Sequence, residues 1–243
     1  MTSSYLIYYL IAYQDMTDRL QRTRLLFGPT AIEKLQNATV MVVGCGAVGS
    51  FAIEALARSG IGHIILADFD TVEESNINRQ LFATQNTLGQ KKTVAAHERI
   101  AAISQDIKVT ELDIFFDKNT TLPVHPDFVI DAIDTIASKV ALYKWCEQNN
   151  IPFISSMGAA RKTDPTLAKI AKLSKTFACP LAKQIRKLVR ENGIKDFPVV
   201  FSTEIPTDQK TPDRNMGSII TVTGTFGLLT ANYAIKNIIN FNS

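Results

Sequence analysis

Cysteine is scarce in this 243-residue chain, and the three present, Cys45, Cys146 and Cys179, are odd in number and far apart. No C-x-x-C pair occurs, so no zinc is expected, and the usage points to a reducing compartment rather than a disulfide scaffold. An excess of one charge is also missing: 26 Lys and Arg face 23 Asp and Glu, a formal net charge of +3. That balance permits a nucleic-acid partner without arguing for one, and the distribution of charge has to decide. No internal repeat is visible. Long hydrophobic runs are few. Tyr5 to Tyr13 covers nine residues, too short to span a bilayer, and it lacks the basic leader and small-residue cleavage site of a signal peptide. Residues 1–16 read as an N-terminal extension, disordered or packed on a partner. Asn215 to Ile235 carries no charge, but Thr221, Thr223, Thr225, Thr230 and Asn232, with Gly217, Gly224 and Gly227, suit a closely packed core helix rather than a membrane span. With 46% hydrophobic and 20% charged residues, this is an ordinary globular composition, expected to be cytoplasmic.

What is present centres on Val40 to Asp70. An apolar run, Val40 to Val43, leads into glycines at 44, 46 and 49, a helical segment, and a second apolar run ending in Asp68 and Asp70. In such a strand, turn, helix and strand, the first glycine permits the turn and the second lets a phosphate approach the backbone. The third lets helix and strand pack closely. The N–H groups at the helix start then face the anion. Asp68, at the end of the second strand, is placed to hold ribose hydroxyls. The fingerprint indicates a nucleotide without saying which, since NAD, FAD, S-adenosylmethionine and ATP users share variants of it.

In chain order, Thr17 to Phe27 reads as a helix carrying Arg19, Arg22 and Arg24, capped by Thr17 or Asp18. It is either a solvated basic face or an arm that brings arginine to a phosphate, with little to pack on in its own domain. Thr30 to Leu35 is a second short helix. After Asp70, a polar stretch sets Asn76, Arg79 and Gln80 just beyond the strand's carboxyl end, where open parallel sheets bind ligands. Gly89 to Ser104 reads as a helix opening on Lys91 and Lys92. Ile107 to Asp113 and Phe128 to Ala132 read as strands, the latter leading to Asp131 and Asp134. A helix through Lys139, Leu142 and Trp145 follows, then a strand at Pro152 to Ile154. Alternating strands and helices over the first 155 residues predict an α/β, Rossmann-like, doubly wound and mostly parallel sheet, with an appended C-terminal substrate lobe.

Asp68, Asp70 and Asp134 with Arg79 and Lys92 would converge on the glycine loop. Hydride transfer does not need this set, because its pyrophosphate is held and never cleaved. Attack on the α-phosphate of ATP does, since charge accumulates on the departing pyrophosphate and cations with carboxylate-bound Mg²⁺ stabilise it. Adenylation of a carboxylate is the chemistry that fits. A nicotinamide oxidoreductase and a catalytically silent nucleotide-binding module are the competing classes. Each charge taken singly could be a solvated surface group.

The run D-F-D-T-V-E-E-S-N-I-N-R-Q, after G-C-G-A-V-G and before Lys92 and D-A-I-D, resembles the adenylating family of ubiquitin-activating enzymes. That family includes the bacterial enzymes that adenylate the carrier proteins of thiamine and molybdopterin synthesis. The resemblance covers roughly Arg19 to Ser156. It implies that Asp68 holds the ribose and that Asn76, Arg79 and Lys92 contact the phosphates. Asp134 would bind Mg²⁺, and Arg19 or Arg22 would reach a neighbouring subunit's ATP in a homodimer. Gly44, Gly46, Gly49, Asp70 and Gln80 complete the expected ATP site, with Arg79, Lys92 and Asp134 as its catalytic members. Carrier-activating members usually have two C-x-x-C pairs, absent here. S-M-G-A-A-R-K-T-D-P-T, C-P-L-A-K-Q-I-R-K-L and V-V-F-S-T-E are similar to the tRNA threonylcarbamoyladenosine dehydratases, although the linker between Glu204 and Met216 is shorter than in that subfamily.

From Arg161 to Lys195 there are ten Lys and Arg against two acids, Asp164 and Glu191. Within Pro180 to Glu191, Lys183, Arg186, Lys187 and Arg190 recur at helical spacing opposite Leu181, Ile185 and Leu188. This is either a solvated face or a surface that tracks the phosphates of tRNA. Cys179 precedes Pro180 at a helix start, where a thiolate would be favoured, and some relatives use a cysteine covalently. Packing is the simpler reading for Cys179, and for Cys45 and Cys146. The expectation is a single adenylating domain over residues 17–243, with a nucleotide half at about 17–156 and a substrate half at about 157–243. Its expected activity is that of a ligase-class enzyme that uses ATP and Mg²⁺ to close threonylcarbamoyladenosine in tRNA to a cyclic form. The alternative is activation of the C-terminal glycine of a ubiquitin-like sulfur-carrier protein, with a carrier or sulfur-transfer protein as partner.

Overall fold

The computed structural model describes residues 18–122, 124–207 and 216–241. The expected N-terminal extension, the Thr17 cap and most of the Glu204 to Met216 linker lie outside them. In chain order the elements are α1 (Gln21–Phe27), α2 (Pro29–Asn37), β1 (Thr39–Val43), α3 (Gly49–Ser59), β2 (His63–Ala67), α4 (Lys92–Ile103) and β3 (Lys108–Leu112). There follow β4 (Phe128–Asp131), α5 (Ile136–Gln148), β5 (Phe153–Ser156), β6 (Ala168–Lys172), α6 (Pro180–Glu191), β7 (Pro198–Ser202) and α7 (Ile220–Ile238). The seven strands make one sheet in the order β3-β2-β1-β4-β5-β7-β6. It is parallel except where β6 runs against β7. Helices cover both faces, which is why β1 is apolar along its length: Val40 and Val42 enter one core with α3 and α7, while Met41 and Val43 enter the other with α5 and α6.

The expected α/β sheet is there, and the C-terminal half takes part in it directly. Strand β7 pairs in parallel with β5, so the same sheet runs through both halves. Neither β6 nor β7 was placed from sequence; Ala168–Lys172 reads A-K-I-A-K, without the strict alternation of a half-buried strand. The uncharged run forms α7, which begins at Ile220 rather than Asn215. Its packing follows from two glycines. A Cβ on Gly227 would stand 2.3 Å from the Val48 carbonyl oxygen, and one on Gly224 would stand 3.2 Å from the Phe51 ring, so α7 lies tight against α3. Buried Thr230 satisfies its hydroxyl on the Gly227 carbonyl at 2.8 Å. Among the described residues, no helix is long and apolar enough to cross a membrane. Helix α4 starts at Lys92, three residues later than the pattern suggested. Gly89 has φ +80° and Lys91 bridges Thr71, so this segment is tied to the polar loop before it can join the helix.

Candidate active site

Chain order reverses between β1 and β4: from β1 the sheet grows outward through β2 and β3, then returns to β4 on the other side. The crevice at such a switch point, at the carboxyl ends of the strands, is where open α/β sheets take ligands. The glycine loop sits there, and its three glycines meet different demands. Gly44 has φ +95°, and a Cβ on it would stand 2.7 Å from the Ala132 carbonyl oxygen just past β4. A Cβ on Gly49 would overlap the Gly44 carbonyl oxygen, at 1.7 Å, because α3 starts directly on the turn. A Cβ on Gly46 would meet only the Gln80 side-chain amide, at 3.7 Å, and no backbone. The backbone is therefore bare where a phosphate would approach.

Several of the expected residues are brought together around this loop. The buried Asp68 carboxylate accepts from Cys45 N at 2.6 Å and from Asp70 N at 2.9 Å, lashing the loop to the end of β2. Burial raises its pKa above the ordinary carboxylate range, and the two backbone donors partly oppose that shift. Lys92 Nζ meets Asp70 Oδ2 at 2.7 Å. Ser50 Oγ accepts from Leu81 N at 3.0 Å, fastening the polar loop to the start of α3 and bringing Gln80 beside Gly46. Asn76 is buried, and its side-chain oxygen accepts from Glu73 N at 3.2 Å in a capping box. Arg79 rests on its own loop, donating to Ser75 O at 2.7 Å and Asn78 Oδ1 at 2.9 Å. Asp134 lies across the crevice, exposed beyond β4, with Thr135 Oγ1 donating to it at 3.3 Å. Among the described residues, no group of three or more His, Cys, Asp and Glu is arranged to hold a metal.

Other expected residues lie elsewhere. Arg19 donates to Ala57 O at 2.9 Å, near the far end of α3 and about 12 Å along that helix from Gly49 at 1.5 Å per residue. Leu20 beside it is buried, 2.9 Å from where a Gly60 Cβ would stand. The root of the arginine arm is thus packed on its own chain, a correction to the expectation of an unsupported arm. The helix beyond that root is uncovered: Leu25 and Leu26 are 68% and 72% exposed, and Arg22 points into solvent. On α6, Lys183, Lys187 and Arg190 are exposed, but Arg186 turns inward and donates to Thr176 O at 2.9 Å. The buried face of α6 is Ala182, Ile185 and Val189. Cys179 caps α6 by accepting from Ala182 N at 3.4 Å, and all three cysteines are buried and free.

Sequence reasoning missed a charged network directly under the crevice. Asp131 and Lys139 are fully buried and 2.7 Å apart. Lys139 Nζ also donates to Ser156 O at 2.8 Å, while Tyr143 and Ser155 donate to Asp131 Oδ2 at 2.9 and 2.5 Å. Burial and the neighbouring Asp131 hold the Tyr143 phenol well above its ordinary pKa, so it remains a donor. Asp131 Oδ1 accepts from Ile133 N at 3.0 Å, which fixes the turn carrying Asp134. The available signal was an acid inside an apolar strand followed, eight residues on, by a lysine on the packed face of a helix.

Fold and site together define a Rossmann-like nucleotide-binding protein with a glycine loop at its switch point and the Lys92–Asp70 pair at the carboxyl end of the sheet. The chain belongs to the ThiF family, whose profile matches residues 20–243. It is 47% identical over 195 residues to the tRNA threonylcarbamoyladenosine dehydratase of Bacillus subtilis, across 79% of this chain and 77% of that one. It is 35% identical over 247 residues to the enzyme of the same name from Escherichia coli, across 90% and 92% of the two chains. The crystal structure of the E. coli dehydratase TcdA in complex with ATP superposes with a TM-score of 0.85 at 36% identity, covering 91% of this chain and 94% of that one.

Proposed function

We propose that this protein is an ATP-dependent tRNA threonylcarbamoyladenosine dehydratase. The observation that carries the chemistry is the open backbone at Gly46, flanked by the Lys92–Asp70 pair and faced by Asp134 across the switch point. The likeness to dehydratases along most of the chain supports the acceptor. The substrate carboxylate oxygen attacks the α-phosphorus of ATP, and the bond to pyrophosphate breaks. Asp68 orients the ribose, and Lys92 and Arg79 meet the charge that builds on the departing pyrophosphate. Arg79 must leave its resting contacts with Ser75 and Asn78 to do so. Magnesium is commonly held by one or two carboxylates plus phosphates and water, so a lone exposed Asp134 fits it; when bound, the ion would neutralise phosphate charge. A tethered nitrogen of the threonylcarbamoyl group then attacks the acyl carbon, expels AMP and closes the ring, favoured by proximity. The carboxylate oxygen leaves with AMP, so the modified nucleoside loses one water.

In this reading the nucleotide half is residues 17–156 and the substrate half 157–243, with Lys183, Lys187 and Arg190 along the tRNA backbone. Arg22 on the uncovered α1 is the better placed of the two arginines to cross to a second subunit in a homodimer. In this reading the protein works in the cytoplasm, on tRNA that already carries threonylcarbamoyladenosine. Incubation with ATP and tRNA carrying threonylcarbamoyladenosine should release AMP and pyrophosphate and lower the nucleoside mass by one water. Pyrophosphate release with a ubiquitin-like carrier and none with modified tRNA would overturn the assignment.

A further inference from the structure

We infer that Phe177 is a stacking platform for an unpaired base of the RNA substrate, placed beside the modified adenosine. This rests on the reading of tRNA as the acceptor. Phe177 is 55% exposed although the chain on both sides of it is pinned. Thr176 Oγ1 donates to Leu173 O at 2.7 Å, and Arg186 donates to the Thr176 carbonyl at 2.9 Å. Ala178 has φ +52°, a backbone conformation uncommon for alanine, and Cys179 caps α6 immediately after it. The Phe177 ring is set edge-to-face on Phe201, with centroids 5.7 Å apart and planes at 74°. A rigid loop therefore holds an aromatic ring in water at a fixed tilt.

A lone exposed phenylalanine is common on protein surfaces and needs no explanation. Its chemical surroundings set this one apart. From Pro165 to Arg190 the chain has no Asp or Glu, and Lys175, Lys183, Lys187 and Arg190 are exposed there. The acid that follows at once, exposed Glu191, lies 3.7 Å from Lys187, and the next, Asp196, is occupied by Ser174, which bonds both its carboxylate oxygens at 3.0 and 2.6 Å. A protein partner would call for a wider apolar patch with few lysines. An aromatic face beside a surface in which cations outnumber acids is how proteins hold single-stranded RNA, by stacking the base and screening the phosphates. The location agrees with this. Cys179 Sγ is 3.4 Å from where a Gly158 Cβ would stand, so this loop meets the segment just past β5. That is the same sheet edge as Asp134, one strand over and away from the glycine loop, which leaves the nucleotide crevice free for ATP.

The test is steady-state kinetics of the full chain with tRNA carrying threonylcarbamoyladenosine. Phe177→Ala should raise the KM for tRNA by about tenfold, in line with the loss of one stacked base, and leave the KM for ATP unchanged. Because no ion contact is removed, the dependence of log KM on log salt should keep its slope, whereas Lys183→Ala with Arg190→Ala should flatten it. Phe177→Trp should stay within about twofold of the parent, since any aromatic face can stack. An unchanged tRNA KM in a folded Phe177→Ala protein overturns the inference. So does a tryptophan variant as poor as the alanine one, which would assign the effect to loop shape. Failure of the parent protein to act on modified tRNA at all, while it still turns over ATP, would instead overturn the proposed function and this inference with it.

Discussion

Lys139 and Lys92 each meet an aspartate at 2.7 Å, one in the core and one at the sheet edge. Neither side chain of the Lys139–Asp131 pair is exposed, and Tyr143, Ser155 and the Ser156 carbonyl complete its hydrogen bonds. In the Lys92–Asp70 pair the lysine is 10% exposed and the aspartate 46%. Geometry alone would class the two as the same interaction, yet their surroundings set opposite roles. The buried pair has given up its water and is committed to its partners, so it can shape the site but cannot bind a ligand. The edge pair keeps water on its Asp70 side, so the nearly buried Lys92 can exchange that carboxylate for a phosphate without leaving an anion stranded in the core.

Breaking the buried pair should have the largest effect. Lys139→Met leaves the Asp131 carboxylate unpaired in the core and should cost about 3–5 kcal/mol, measured by urea unfolding. Adding Asp131→Leu removes the stranded charge, so the double variant should be more stable than Lys139→Met alone. A loss below about 1 kcal/mol for the single change would mean that water reaches the pair. Next comes the edge pair, where the loss should be in rate. Lys92→Ala or Asp134→Ala should lower turnover by about a hundredfold with a smaller change in ATP affinity. For exposed Asp134, stability should change by no more than about 1 kcal/mol. Equal losses in turnover and affinity would make these residues mere binders.

Helix α6 repeats the contrast on a smaller scale. Arg186→Ala removes the bond to Thr176 and should cost about 1 kcal/mol in unfolding free energy. Lys187 is exposed and lies 3.7 Å from Glu191, so Lys187→Ala should leave stability within about 0.5 kcal/mol. That second change should still weaken tRNA binding at low salt, and a filter-binding series across salt concentrations would show it. If Arg186→Ala shifts the salt slope as much as Lys187→Ala does, its inward contact does not hold in solution.

The same contrast explains what could be read from sequence. The glycine loop, β1, β2 and the flanking acid were legible because every step is local: residues within about thirty positions of one another form the unit. Asp131 and Asp134 were read together as strand-end acids. The structure separates them, since Asp131 is still in β4 and points to α5, while Asp134 lies past the turn and points to solvent. Strands β6 and β7 are as long as β1 and β2, but no strand-turn-helix pattern announces them, and they owe their order to pairing with β5 and with each other. Four cations at helical spacing on α6 looked equivalent, and only the fold of residues 173–179 over that helix turned Arg186 inward.

The sequence by itself determined the α/β class and the glycine turn between β1 and α3, because periodicity and turn chemistry act over short stretches of chain. Only the tertiary structure decided which charges are spent inside the molecule and which stay available. That choice depends on burial, and burial depends on which distant segments cover a side chain. Arg19 was claimed by Ala57, Asp131 by Lys139 and Arg186 by Thr176, partners that spacing along the chain does not specify. Asp134, Lys183 and Arg190 stand at edges that no later segment closes over, so they keep access to solvent and to whatever binds there.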